Sequence, residues 1–391
     1  LWSVGGSWNI YKEKFFQADF VDMLKLRASY GIGGNIGRNT APYLIASYYD
    51  SSLVDGMAGS VNTPPNKDIR WEKTTTVNVG VDFALFRHRL SGTIEYYNKY
   101  SVDLLAAING SPTQGFGYTT LMTNNGKMVN RGVEITLSGE IIRQKDFSWN
   151  ASLLYAFNRN KVKHISVQPS LWDSRISMPT SYPMVGKPLY GIYAYKWAGL
   201  NENGDPQVYD AENNVTSGPA RDYHALVYCG TTVPIHNASL TNVLRYKGFE
   251  FSAMLILDAG HKLRSSNIPS INMSNGRITS TAKGIVDRWT QPGDVTDVPR
   301  LLFSNDTENF NTHRTELYRY SDLFVYDASN IRLSNISLAY RVPAHWCKKI
   351  SLSGARLQFN VENVATFAFD SKANYDLGGK VKPNYVWGLY L

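Results

Sequence analysis

"DASNIRLSNISLAYRVPAHWCKKISLSGARLQFNVENVATF", residues 327–367, is the stretch on which the fold turns. Ile336, Leu338, Tyr340 and Val342 fall on one side of an extended chain, and Ser337, Ala339 and Arg341 on the other, because successive strand side chains point to opposite faces. Leu357, Phe359 and Val361 alternate in the same way with Gln358, Asn360 and Glu362, and Pro343 stops the first strand from pairing further. The two runs make a hairpin with one apolar and one polar face. In a soluble sandwich the apolar face would cover a second sheet. In an outer-membrane barrel it would meet lipid while the polar face lined a lumen.

The same alternation recurs along the chain. Val77, Val79, Val81, Phe83 and Leu85 oppose Asn78 and Asp82; Val133, Ile135 and Leu137 oppose Glu134, Thr136 and Ser138; Trp149, Ala151, Leu153, Tyr155 and Phe157 oppose Asn150, Ser152 and Asn158. Helical periodicity is absent, and the longest apolar run, "FSAMLIL" at 251–257, falls far short of the roughly 20 residues of a spanning helix. Aromatic residues make up 13% of the chain, with 25 Tyr and 9 Trp, side chains suited to interfaces that are apolar at one end and wet at the other. The net charge of +8 is scattered rather than gathered into a stripe, which argues against nucleic acid as a partner.

The connections sort by length. Short turns are predicted at 87–89, 143–146, 247–248 and 343–349, and long polar stretches at 33–68, 107–127, 161–235 and 262–323. A soluble sandwich has no reason to alternate them, whereas an outer-membrane barrel puts short periplasmic turns at one rim and long extracellular loops at the other. With this orientation every long stretch must hold an even number of crossings. "LYGIYAYKWAGL" at 189–200 has the look of a strand, but a single crossing there breaks the parity, so it either pairs with a second crossing or stays within the loop; the loop is favoured. About eleven crossings remain, the first over 1–10 and the last over 384–391. An odd count suits part of a barrel, since single-chain bacterial barrels use even numbers.

Four blocks carry a family resemblance. "NNGKMVNRGVEITLSG" at 124–139 is similar, through Asn124 or Asn125, Gly126, Asn130, Gly132 and Glu134, to the N-x-G-x-x-x-N-x-G-x-E strand entry of SusC/RagA-type TonB-dependent outer-membrane transporters. "WEKTTTVNVGVDFALFRHRLSGTIEYYNKYSVDLL" at 71–105, "DVPR" at 297–300 and "IRLSNISLAYRVP" at 331–343 resemble further blocks of that family, in the expected order. The resemblance implies an all-β antiparallel transmembrane barrel of about 22 strands, with residues 1–391 forming its C-terminal half and long extracellular loops. It also implies import of glycans, oligosaccharides or peptides across the outer membrane of a Gram-negative bacterium, with a SusD-like lipoprotein and the TonB complex as partners. The plug, the TonB-contacting segment and the first strands are absent from this sequence, so an N-terminal barrel half and plug are expected as further partners beside outer-membrane lipid. A passive porin-like channel is the alternative.

No enzyme is expected. The seven His residues are dispersed, neither H-E-x-x-H nor G-x-S-x-G occurs, and Asp82, Glu95, Glu134 and Glu140 are what a polar lumen contains. No cofactor or metal is expected either: "NENGDPQVYDAENN" at 201–214 lacks the ligand spacing of a calcium loop and reads as a solvated loop. The substrate-binding candidates are loop aromatics, Trp172, Tyr182, Tyr190 and Tyr193, whose flat rings could meet a sugar face or a peptide side chain, with packing among the loops as the bland alternative. Trp2, Trp8, Trp149 and Trp346 are expected in a periplasmic aromatic girdle. Cys229 in an extracellular loop and Cys347 in a periplasmic turn should be too far apart for a disulfide.

Overall fold

The computed structural model describes residues 1–37, 42–50, 56–63, 65–109, 113, 120–167, 174–218, 222–273, 282–303, 312–349, 351–377 and 383–390. Eleven antiparallel strands form one sheet in sequence order, each beside its chain neighbour. They are β1 (Trp2–Asn9), β2 (Val21–Asn35), β3 (Glu72–Leu85), β4 (Leu90–Asn109), β5 (Thr120–Arg143), β6 (Phe147–His164), β7 (His236–Tyr246), β8 (Phe249–Ala259), β9 (Asn330–Arg341), β10 (Arg356–Ala368) and β11 (Asn384–Tyr390). Among the described residues the end strands are paired on one side only, β1 with β2 and β11 with β10.

Register explains the alternation. Trp8, Leu26, Val81, Ile94, Ile135, Tyr155, Ala238, Leu257, Ile331 and Phe367 are successive partners across β1 to β10, and all are apolar. The neighbouring row, one residue away on every strand, runs Ser7, Arg27, Gly80, Glu95, Glu134, Ala156, Asn237, Asp258, Asn330 and Ala368. A slip of one residue in any strand would exchange the two faces, so the pattern itself specifies the pairing. The apolar face has no covering layer: Leu338 is 48% exposed, and Val79, Ile94 and Leu357 are also exposed. The apolar row starts at Trp8, beside the connection after β1, and ends at Phe367, beside the connection after β10 at the opposite end of the strands. Strands that slide past one another in this way are tilted, as barrel closure requires.

The quoted hairpin forms as read, with Ile336 opposite Val361, Leu338 opposite Phe359 and Tyr340 opposite Leu357. Its turn holds a short helix, Ala344–Lys349, that buries Cys347. The turn at 86–89 reverses through three consecutive non-glycine residues at positive φ, Phe86, Arg87 and His88, with the His88 N–H donating to Asp22 Oδ2 at 2.8 Å. The stretch 189–200 stays out of the large sheet: Gly191–Tyr195 pairs with Leu226–Thr231, and Trp197–Leu200 with Pro206–Tyr209.

Two expectations need correction. Trp2 does not lie beside a short turn; β1 carries it to the far end from Trp8, opposite Ile32. And 107–127 is not all loop, because β4 and β5 continue to Asn109 and from Thr120, past a bulge at Asp103 whose φ of 56° breaks the alternation. Trp8 and Trp149 lie at the opposite end of the sheet from Trp2, beside the connections after β1 and before β6, and Trp346 lies within the connection between β9 and β10.

Candidate functional site

The polar face is a network of paired charges. Arg27 lies across β3, its Nη2 donating to Glu95 Oε2 at 2.6 Å and its Nε to Asp82 Oδ1 at 3.3 Å, while Thr93 Oγ1 donates to Asp82 at 3.0 Å and Asn78 Nδ2 also donates to Glu95. Gly80 makes this possible, since a Cβ there would stand 3.0 Å from the guanidinium carbon. Toward the short-turn rim, Glu250 accepts from Arg245 at 2.8 Å and Arg356 at 3.0 Å; further up, Asp258 meets Asn237 at 2.7 Å and Arg332 at 3.5 Å. Leu154 interrupts this face, 52% exposed among Glu134, Thr136, Ser239 and Asp258.

At the long-loop end the same face opens into a cavity of about 440 Å³. Leu104, Leu105, Met128, Val162 and Leu189 give it apolar walls, and Glu72, Lys127 and His164 add charge and hydrogen-bonding capacity. Glu72 also holds the bulge of β4, accepting from the Leu105 N–H at 2.9 Å and from Asn35 Nδ2 at 2.7 Å. Asn124 pairs with Arg70 as a strand would, its Oδ1 accepting from the Arg70 N–H at 2.8 Å and its Nδ2 donating to the Arg70 carbonyl at 2.7 Å. Asn160 joins the wall to the loops: its Nδ2 donates to Asn130 Oδ1 at 2.6 Å, and its Oδ1 accepts from the Leu189 N–H at 2.8 Å. The asparagines of the 124–139 block thus build the mouth of the cavity. Gly132 of that block leaves room for the Tyr97 ring, which a Cβ would meet.

Above the sheet, two long loops fold into one cap. Asp205 anchors it, accepting from Arg300 through two bonds of 3.1 and 2.9 Å and from Arg314 Nε at 2.7 Å; Arg314 also donates to Asn272 Oδ1 and to the Arg300 carbonyl. Burial pulls the Arg314 guanidinium below its ordinary value while Asp205 opposes the shift. "DVPR" is therefore a structural clasp: Asp297 accepts from Trp197 Nε1 at 3.0 Å, Pro299 is fully buried and Arg300 grips Asp205. Arg264 ties the helix Thr312–Arg319 to the Gly191–Tyr195 strand, donating to the carbonyls of Arg319, Ser321 and Tyr193. The oxygens of 201–214 are taken up by turns, Asn201 Oδ1 accepting from Asn203 and Asp205 N–H and Asp210 Oδ1 from Glu212 and Asn214 N–H. Among the described residues no group of His, Cys, Asp and Glu could hold a metal.

The four loop aromatics separate. Tyr193 is 1% exposed in the cap core with Tyr195, Val208 and Leu317, and burial pushes its phenol up, so its ring packs rather than binds. Tyr190 is 50% exposed and Tyr182 half-buried; Thr180, Ser181 and Pro183 beside Tyr182, and Leu189 beside Tyr190, line the cavity. Trp172 lies outside the described residues. The cavity walls escaped sequence reading because they lie beyond the Asp103 bulge, where alternation fails; Glu72 and Asn124 stood in blocks that carried the resemblance.

The chain belongs to the family described as TonB dependent receptor-like, beta-barrel, whose model matches residues 1–364. Across 411 residues it is 26% identical to TonB-dependent receptor P3 of Formosa agariphila, covering 98% of this chain and 39% of that one. TonB-dependent receptor SusC of Bacteroides thetaiotaomicron is 26% identical over 383 residues, covering 92% and 36%. Among solved structures, the RagAB peptide transporter superposes with a TM-score of 0.77 at 24% identity, covering 99% of this chain and 43% of that chain, a likeness of fold. The chain thus spans about two-fifths of the length of these relatives. Membership puts the eleven strands in the outer membrane of a Gram-negative bacterium, apolar face to lipid and polar face to lumen, in a family of receptors rather than enzymes.

Proposed function

We propose that this chain is the C-terminal half of the wall of a TonB-dependent importer of the SusC/RagA type. It would admit oligosaccharides or peptides with a SusD-like lipoprotein at its extracellular face, energised through a plug and TonB-contacting segment. The observation that carries the reading is the two-faced sheet: among the described residues β1 and β11 are each paired on one edge, and since in hydrocarbon every unpaired backbone group costs several kcal/mol, a wall of this kind is stable only within a closed barrel. The mouth supports it, because a cavity lined by Leu104, Met128, Glu72 and Leu189, with wall and loop residues side by side, suits capture before transport better than free diffusion. Tyr182 and Tyr190 flank that cavity and are the aromatic contacts assigned to substrate. Uptake of labelled oligosaccharide and peptide libraries by cells expressing the protein tests the reading. Uptake is expected to stop when TonB is deleted or the proton gradient is collapsed. Uptake that continues under both conditions would make the protein a passive porin-like channel.

A further inference from the structure

The outward face carries a second concavity. It measures about 410 Å³ and is lined by Phe157, Arg159, Lys161, Lys187, Tyr228 and His236, among others, without a single carboxylate. Arg159 and Lys161 continue the apolar side of β6 beyond Tyr155 and Phe157, and Arg131, the register partner of Arg159, continues that of β5. All three cations are exposed. At about 3.3 Å per residue and a tilt of about 40°, Arg159 stands roughly 30 Å above the periplasmic end of β6, just beyond an apolar band of about 25 Å. That is the level of the outer headgroups.

The cations are left without counter-ions. Arg27, Arg245, Arg300, Arg314, Arg332 and Arg356 each meet a carboxylate, but among the described residues no ion pair is formed by Arg131, Arg159, Lys161 or Lys187. Lys187 is held in place: its carbonyl accepts from the Val162 N–H at 2.9 Å, and its Nζ lies 4.8 Å from the Tyr228 ring centre. Beneath the cations is an aromatic shelf, where His236 lies 5.3 Å from Phe157 and its Nδ1 is 2.8 Å from Tyr155 Oη. Four neighbouring cations with no acid lining their concavity, over a shelf at the membrane boundary, match an anionic oxygen cluster carried on a lipid.

We propose that Arg131, Arg159, Lys161 and Lys187 form an external site for the phosphate of an anionic outer-leaflet lipid, a contact separate from anything imported through the lumen. The test uses the protein extracted intact from outer membranes and placed in nanodiscs of zwitterionic lipid doped with phosphatidylglycerol, with retained lipid counted by native mass spectrometry. The double variant Arg159→Gln, Lys161→Gln is expected to weaken phosphatidylglycerol retention at least tenfold, whereas Lys25→Gln, a lumenal cation, should leave it unchanged. Heat-modifiable migration on gels confirms that each variant is folded. Equal retention by the double variant and the parent would overturn the site. Displacement of the lipid by millimolar inorganic phosphate would overturn its assignment to a headgroup and leave a site for free phosphate; persistence of the lipid supports the headgroup.

Discussion

Asp205 and Arg314 lie 109 residues apart in the chain and 2.7 Å apart in space. Arg314 is 3% exposed, so removing its carboxylate strands a charge that cannot reach water. Breaking a buried pair from one side costs about 3 to 5 kcal/mol, and the low end is expected for Asp205→Asn because Asn272 and the Arg300 carbonyl remain as acceptors. Hydrogen exchange should show residues 191–218, 222–231, 262–273, 282–303 and 312–327 losing protection together while β2, β3 and β6 keep theirs. Unchanged protection of the cap would refute the clasp.

Leu137 and Leu153 are register partners on the lipid side, roughly 15 Å above the periplasmic ends of β5 and β6 and so near the middle of the band. Arginine at either should destabilise by about 2 to 4 kcal/mol, and arginine at the lumenal neighbours Thr136 or Ser152 by far less. Unfolding in lipid vesicles measures both, and equal losses would contradict the assignment of faces.

Gly132→Ala should cost about 1 to 3 kcal/mol, because the new Cβ would run into the Tyr97 ring and come 2.5 Å from the Phe157 carbonyl. Adding Tyr97→Ala should recover part of the loss but not all of it, since the carbonyl stays. Urea midpoints of the single and double variants check this, and full additivity would show that the two residues do not meet.

Where the cap joins the sheet, Asp327 is paired with Lys262 at 3.0 Å. Burial by itself would raise this carboxyl, but the Ser329 hydroxyl and N–H and the Lys262 ammonium override it and hold it at about 2. A depressed carboxylate adds stability that is complete above its unfolded value of about 3.9 and is lost as pH falls through the folded value. The junction should therefore loosen between about pH 4 and pH 2, modestly, since both side chains are more than a third exposed. Pepsin cleavage at 260–264, corrected for the enzyme's own pH profile, should rise over that window in the parent and stay level in Asp327→Asn.

Cys229 and Cys347 are both free thiols, one in the cap and one in a periplasmic turn. Burial, with Asp322 adding to it, pushes the Cys229 thiol up to about 11. Since the thiolate is the nucleophile, alkylation of Cys229 at pH 8 should run about a hundredfold slower in the folded protein than in urea. A non-reducing peptide map joining the two cysteines would overturn the topology.

The wall of the barrel was legible because its rule is local. A period of two and a short turn can be seen within twenty residues, and both follow from strand geometry. The cap was illegible for the opposite reason: Trp197 meets Asp322 across 125 residues and Arg300 meets Asp205 across 95, so no local pattern announces either contact. Tyr193 shows the consequence, a loop tyrosine that looks available in sequence and is enclosed by partners from distant segments. The mouth cavity was half legible, its asparagines and glycines visible as a block, its apolar wall hidden past the bulge at Asp103.

The clasp at Asp205 also carries information about time. One loop enters the cap between β6 and β7 and the other between β8 and β9, so the β7–β8 hairpin lies in the closed ring that the clasp completes. Closing so long a loop early would forfeit chain entropy with little contact in return, whereas closing it after the hairpin has zipped costs much less. The clasp therefore closes at least entropic cost once the β7–β8 hairpin is zipped, which couples the integrity of the cap to the register of the two strands it encloses.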